Sequence, residues 1–555
     1  MVRFRDLNSR VLPMIATAIG AFAPHAAQAA DCEGLTALDL PNVEIRSASP
    51  VAPGTFSEPS RGGRPGDSHD NVPAFCRVAG IASPEAGSRI GFEVWLPAPD
   101  AWSQRLHMIG NGGYGSNLYW AQLVARVQRG DVAVATDTGH SGSSLTFGID
   151  NPVAIVDWGN RAAHASVVAA KGVVKAYYGR PQRWSYFSGS STGGHQALML
   201  AQRHPEDFDG IIAGAPGNNR TALNFQFMWN FLSNHRRGDN STQIVPNRKL
   251  PMIRRAVVAA CDADDGVIDG VITEPLKCGF DVGALACPGA ETANCLTAEQ
   301  VATMRAIYRG PRNARTGEQL YPGLTLGSEG MGGDEANPGW ADFWANPDKP
   351  DEPQRADFFR YWVFKDANWN WWNFDWDKDV DTVQRVIAPV VNATDPDISA
   401  FRARGGKLIM FMGWDDPVGS SVEAINYYDS VVARGQGADE AARLADTQSF
   451  ARLYMIPGMG HTAGGPGATH VSTATRDSAP PVEDARHDMG LALYDWVERG
   501  TAPEALIGTH FSSGTGATGT VQFQRPICVY PKVARYAGGD PNSAESFRCE
   551  PATRR

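Results

Sequence analysis

Residues 183–202 read RWSYFSGSSTGGHQALMLAQ. An apolar run, RWSYFSG, meets a cluster of small residues, SSTGG, and then a helical pattern, HQALMLAQ. The cluster contains G-x-S-x-G: Gly189, Ser190, Ser191, Thr192 and Gly193. By itself that pattern is weak in a chain rich in Gly and Ser. Its setting is what counts. A strand, a sharp turn and a helix in that order lift a serine hydroxyl out of the C-terminal edge of a sheet. The flanking glycines remove side chains that would clash in so tight a turn.

The surroundings repeat the strand–helix rhythm from about residue 90. LHMIGNGG (106–113) and DVAVATDTG (131–139) read as buried strands. RAAHASVVAAKGVVKAYYG (161–179) reads as a helix and GIIAGAP (210–216) as a strand. This alternation predicts an α/β protein, a mostly parallel sheet flanked by helices. From about 218 to 395 the rhythm breaks into an irregular stretch with many Gly, Pro and Asp and a tryptophan-rich patch. It resumes at GKLIMFMGWDD (406–416), followed by a helix (421–435), the strand ARLYMIPG (451–458) and an amphipathic helix (482–500). The expected organisation is a core in two parts, 30–217 and 396–555, around a large inserted lid domain, 218–395.

A serine hydroxyl is a weak nucleophile and needs a base, and the base needs an orienting acid. In α/β-hydrolases the chain order is Ser, acid, His, with both partners in loops after strands. Asp415 and Asp416 follow one strand, and His461 follows the next, in GMGHTAGGPG (458–467). His470 and His487 fit less well, lying past the strand end and within a helix. Two backbone amides must meet the developing oxyanion. Thr192, next after the serine, supplies one. The glycine-rich loop MIGNGGYGS (108–116) supplies the other, at Gly113 first and Gly112 second. The same loop also reads G-x-G-x-x-G (Gly110, Gly112, Gly115) with Asp131 further on, which is the pattern of a dinucleotide-binding oxidoreductase. That reading leaves the Ser–Asp–His order unexplained.

Whole-chain features narrow the classes. The 555 residues carry a net charge of about −10, which argues against a nucleic-acid partner. The N-terminus has arginines, an apolar run too short to span a membrane, and Ala27-Gln28-Ala29. This predicts a signal peptide over 1–29 and a periplasmic or secreted protein. Eight cysteines suit an oxidising compartment. Spacing does not fix their connectivity. Near neighbours suggest Cys261–Cys278, Cys287–Cys295 and Cys528–Cys549, leaving Cys32–Cys76.

At this point the chain resembles the tannase and feruloyl esterase family, which includes mono(2-hydroxyethyl) terephthalate hydrolase. The resemblance runs from FCRVAG (75–80) to the end through HMIGNGGYG, TDTGH, YYG, GSSTGGHQALMLAQRHPEDFDGIIAGAPGNN, CDADDGVIDGVI, GWDDP, GMGH and RPICVYP. It implies an exported serine esterase with an α/β-hydrolase core, acting on small aromatic esters such as gallates, hydroxycinnamates or terephthalate monoesters. Its G-W-x-D pattern implies Asp416 as the acid, and its G-M-G-H pattern implies His461 as the base. It also implies one structural calcium ion and no organic cofactor. The spacing in 261–272 suits that ion, with the Asp262, Asp265 and Asp269 carboxylates and the Val267 and Val271 carbonyls as ligands. The family usually joins the nucleophile and histidine loops by a disulfide; Ser190 and Thr462 stand at those positions here. Packing, or a Ser190–Thr462 hydrogen bond, is then expected to hold the loops together. A catalytically inactive, calcium-stabilised binding protein on the same fold is the rival reading.

Five tryptophans fall in FFRYWVFKDANWNWWNFDWDKD (358–379), which reads first as lid core and second as an aromatic acyl pocket. Arg355 and Arg360 are candidates to meet a substrate carboxylate or phenol. Asp137 and His140 read as loop-shaping residues, His195 as a packed helix residue, and Asp207 and Asp209 as members of a structural turn.

Overall fold

The computed structural model describes residues 31–60, 65–330, 339–472, 479–512 and 519–552. The expected leader and most of the loop at 330–340 lie outside the described residues. Among those described, no helix is long and apolar enough to cross a membrane.

One sheet of nine strands carries the molecule. In chain order they are β1 (Val43–Val51), β2 (Phe75–Ala82), β3 (Ile90–Pro97), β4 (Arg105–Ile109), β5 (Val132–Thr136), β6 (Trp184–Ser190), β7 (Gly210–Gly214), β8 (Lys407–Gly413) and β9 (Ala451–Ile456). Their spatial order is β1-β2-β3-β5-β4-β6-β7-β8-β9. The pairs from β5 across to β9 are parallel, and β1 to β3 add an antiparallel flank. Residues 218–395 enter between β7 and β8 and give no strand to this sheet among the described residues.

Side-chain alternation decides how the sheet is covered. Along β6, Phe187 packs with α2 (Ala162–Tyr178) and α3 (Thr192–Arg203), whereas Tyr186 packs with α7 (Met489–Arg499) on the opposite face. β8 does the same, with Leu408, Met410 and Met412 on one side and Ile409 and Phe411 on the other. Both faces are apolar because both are buried, which is why these strands read as continuous apolar runs. Removing a ring such as Phe187 is expected to cost about 3–5 kcal/mol.

The inserted segment has its own cores. One gathers Phe225, Phe359, Trp362, Trp371 and Phe374 and reaches into the main body through Tyr114 and Trp158. Trp362 donates its indole N–H to the Leu145 carbonyl, and Gly148 leaves room for that ring. The tryptophan-rich patch is therefore packing core. The second core surrounds Cys261 and Cys278. All four expected disulfides form: Cys32–Cys76, Cys261–Cys278, Cys287–Cys295 and Cys528–Cys549. The tail folds back as expected. Val529 bridges Tyr454, and the Tyr530 amide donates to Leu453, so the tail covers part of the β9 edge.

Two expectations are corrected. β1 and β2 precede residue 90, where the rhythm was expected to start. β1 is largely exposed, so its sequence, VEIRSASPV, lacks a buried-strand pattern. The helix expected over 482–500 begins only at Met489, because the Asp488 side chain caps it by accepting from the Gly490 amide.

Candidate active site

Ser191 ends the β6–α3 connection with φ +62°, a strained value for a residue with a side chain. Its amide donates to the Gly214 carbonyl on β7. A Cβ on Gly189 would lie 2.6 Å from the Gly193 backbone, so the turn closes only with glycine at 189. The strain projects the hydroxyl away from the strand and toward two loops.

Those loops bring the other expected residues. Asp416 follows β8 and is fully buried, while His461 follows β9 and is partly exposed. His461 Nδ1 lies 2.8 Å from Asp416 Oδ2, and Nε2 lies 2.9 Å from Ser191 Oγ. A carboxylate beside Nδ1 selects the Nδ1–H tautomer, which leaves Nε2 to accept from the serine hydroxyl. Asp416 is itself fixed, since its Oδ1 accepts from the Val418 and Gly419 amides. Chemically, the arrangement suits proton transfer from Ser191 to His461 with the charged imidazole held by Asp416.

The adjacent Asp415 turns the other way. It faces Arg254 at 3.5 Å, and burial pushes its carboxyl up to about 7, opposed by Arg254 and reinforced by Glu329. His470 pairs with the Thr509 backbone and His487 with Asp484, so neither reaches the serine.

Thr192 opens α3, whose N-terminal dipole favours a developing negative charge. Its hydroxyl donates to the Gly113 carbonyl at 2.6 Å. The loop carrying Gly113 is clamped from several sides. The Asn111 amide donates to Gln196, and the Asn111 side chain donates to the Thr136 and Asn117 carbonyls. His140 meets the Tyr114 carbonyl at 2.8 Å, and Asp137 accepts from the Gly91 and Gly139 amides, so both shape loops as expected. Burial raises Asp137 to about 6. His195 is buried, donates Nε2–H to the Val391 carbonyl and is pushed down to about 3 by burial. Asp207 holds His164, and Asp209 accepts from the Ser185 amide.

The dinucleotide pattern fails here. Asp131 is fully buried and accepts from Ser103 and Tyr494, so it is closed to a ribose. Gly110 packs against Gly193 rather than opening a helix. A cavity of about 540 Å³ near Leu276, Ile425 and Tyr530 contains neither Ser191 nor His461 in its lining, so size alone does not mark the reactive site.

The family model for tannase and feruloyl esterase matches residues 76–550. The chain belongs to the tannase and feruloyl esterase family. It is a carboxylic ester hydrolase with an α/β-hydrolase fold. It is similar to an uncharacterized esterase of Xanthomonas campestris, with 38% identity over 99% of this chain and 96% of that one. It is also similar to the mono(2-hydroxyethyl) terephthalate hydrolase of Piscinibacter sakaiensis, with 30% identity over 91% of this chain and 88% of that one. The crystal structure of feruloyl esterase B from Aspergillus oryzae superposes with a TM-score of 0.83 at 27% identity, over 94% of this chain and 99% of that one.

Against this family frame, the Ser190–Thr462 hydrogen bond does not form. Ser190 Oγ is buried and has no partner among the described residues, and it points to the crowded space beside Gly214. Thr462 is also buried and takes φ +70°. Instead, the histidine loop is tied by its own backbone, Gly460 to Gly464 and Gly467 to Gly458, and by the Asp415 amide to Met459.

The acidic loop after α5 (Leu250–Cys261) has the donor chemistry of a calcium site, all oxygen on a tight turn. Burial raises the Asp265 carboxyl, which hydrogen bonds from Thr273 and the Val267 amide oppose and the Asp269 and Asp262 charges reinforce. A divalent cation would relieve that repulsion. The carboxylates also bond to the loop itself. Asp262 accepts from the Asp269 and Gly270 amides, Asp269 accepts from the Val271 amide, and Arg525 of the tail meets Asp269 at 2.6 Å. The three carboxylates do not all come within 4.8 Å of one another as a set; among the described residues His164, His204 and Glu206 do.

Proposed function

We propose that this chain is an exported serine esterase that cleaves small esters of aromatic acids through an acyl-enzyme. Ser191 attacks the ester carbonyl. His461 accepts its proton and later returns it to the leaving alcohol. Asp416 orients His461 and stabilises its charged form. The Thr192 and Gly113 amides receive the oxyanion. Water then releases the acid by the same path. The observation that carries this reading is the unbroken chain from Asp416 Oδ2 through His461 to Ser191 Oγ, at 2.8 and 2.9 Å.

Four disulfides support export to an oxidising compartment. The names of the relatives support hydroxycinnamate or terephthalate-like acids. Arg355 supports an ester that brings an anionic or phenolic oxygen. Its guanidinium rests on Phe227 and Tyr114, its buried Nη1 has no partner among the described residues, and burial pushes it down to about 10. Arg360, by contrast, is consumed by Glu352 and Asp357. Asp262, Asp265 and Asp269, with the Val267 and Val271 carbonyls, would hold a structural calcium ion that fastens the loop and takes no part in hydrolysis. Chelation is then expected to lower the thermal midpoint, by about 3 kcal/mol of stability if the ion had been present at a hundred times its dissociation constant.

The deciding experiment is burst release of chromophore from a p-nitrophenyl ester. Ser191→Ala is expected to abolish it. Retained burst in that variant rejects the mechanism, and absence of turnover in the parent chain favours a binding protein. Screening methyl gallate, methyl ferulate, chlorogenate and a terephthalate monoester then names the acid.

A further inference from the structure

Arg220 opens α4 (Arg220–Ser233), just after β7, and is 1% exposed. A buried guanidinium ordinarily has a carboxylate beside it. No carboxylate pairs with Arg220 among the described residues, and its Nε has no hydrogen-bond partner there. What it does have are hydroxyls, Tyr114 and above all Thr192. Arg220 Nη2 donates to Thr192 Oγ1 at 3.1 Å, and that hydroxyl donates onward to the Gly113 carbonyl at 2.6 Å.

The rest of its environment holds the guanidinium in place. Its carbon lies 5.6 Å from the Tyr114 ring centroid and 5.3 Å from that of Trp158. A Cβ on Gly217 would come within 3.1–3.3 Å of the guanidinium, so glycine there admits the group. The Gly217 amide in turn donates to the Ser191 carbonyl. The guanidinium thus sits behind the elbow, wedged between the β7 loop and the aromatic wall, with Nη2 on the Thr192 hydroxyl and the Tyr114 phenol also beside it.

We propose that Arg220 is a positioning residue for ester hydrolysis. Through the Thr192 hydroxyl it locks the elbow to the Gly113 loop, and so sets the spacing of the two amides that receive the oxyanion. Its unneutralised charge also lies on the side where negative charge develops, in a low-dielectric setting that makes the charge effective. Preorganised donors gain their effect from not having to move, so a group that fixes their spacing acts on the transition state more than on the bound ester. Buried positive charge without a counter-ion is costly, and sites that tolerate such cost are often functional. The inference rests on the esterase mechanism proposed above.

The test uses the full chain with Thr192→Val, which keeps shape and the backbone amide, and Arg220→Gln, which keeps a donor and removes the charge. Each is expected to lower kcat by about tenfold to hundredfold, less than loss of an oxyanion donor itself, with KM within about twofold. Affinity for a boronic acid, which mimics the tetrahedral state, is expected to fall in parallel with kcat/KM, while inhibition by the free product acid stays level. A merely structural role would not separate those two ligands. Arg220→Lys, with charge but no planar fork, is expected to recover part of the rate. Full kcat in a folded Thr192→Val protein overturns the proposal, as does a kcat loss with boronate affinity intact. If Arg220→Gln does not fold, Thr192→Val decides. Loss of activity in Ser191→Ala together with an unaffected Thr192→Val sinks this inference alone; activity in Ser191→Ala sinks the underlying mechanism.

Discussion

The elbow that carries Ser191 and the loop that carries His461 meet at 2.9 Å but are held in unlike ways. The elbow is fixed by backbone against backbone. Gly189, Gly193 and Gly110 touch one another with no space for a methyl group, and β6 is buried on both faces. The histidine loop is a run of Gly and Pro tied by a few of its own hydrogen bonds, with no covalent link to the elbow. Its imidazole owes its place to Asp416 on one side and the serine on the other. Ser191 is thus positioned by packing and His461 by polar contacts, and the two should respond differently to change.

The largest effect should fall on the polar side. Asp416→Asn is expected to cut kcat by about 10⁴ while leaving the fold intact, because it loses the carboxylate that sets the His461 tautomer. Steady-state kinetics and circular dichroism check it. Gly193→Ala should hurt differently. Its Cβ would lie 3.0 Å from the Asn111 carbonyl oxygen and 3.2 Å from Gly110, so activity and thermal midpoint should fall together, activity by about a hundredfold. A Gly193→Ala protein with normal stability and rate would break the contrast.

Asp415 offers a gentler probe of the acid loop. Its carboxyl is raised to about 7 by burial, well above the unfolded value, so the native state holds a proton that the unfolded chain has lost. Its contribution is present at low pH and is lost as pH rises through about 4 to 7, at no more than about 1.4 kcal/mol per pH unit. Asp415→Asn removes that slope. The midpoint difference, variant minus parent, should therefore grow from pH 4 to pH 7 and level off above. The smallest effect is expected from Ser190→Cys with Thr462→Cys. If the histidine loop is looser than the elbow, the crosslink raises the thermal midpoint by a few degrees with at most a threefold change in kcat. A crosslink that forms and changes neither shows both loops already equally fixed.

Much of this site was legible because its signals are local. The strand–turn–helix around Ser191 spans twenty residues, and Asp416 and His461 each follow an apolar run. Strands buried on both faces announce themselves, so β4 to β9 were readable. β1 is mostly exposed and was not. The cysteine pairs suggested by proximity in sequence all formed. What local signals missed were the supports. Nothing near Gln196 or Arg220 marks them as supports of the glycine loop and the elbow, because their contacts join residues 85 and 28 positions apart. The hydrogen bond expected between Ser190 and Thr462 failed for a related reason. Residue types suggested a pair, while the Cβ direction at Ser190 sent the hydroxyl toward β7.

By itself, the sequence determined the layered α/β core and the order of Ser191, Asp416 and His461, each after its own strand, along the chain. Hydrophobic periodicity and glycine placement act over short windows, and those windows are written in the residues. Only the tertiary structure decided which way Asp415 and Asp416 face, that the tryptophan patch is core, and that a buried arginine stands behind the elbow with a hydroxyl for its partner. Those outcomes depend on desolvation and on distances between remote segments, which exist only once the sheet has brought the segments together.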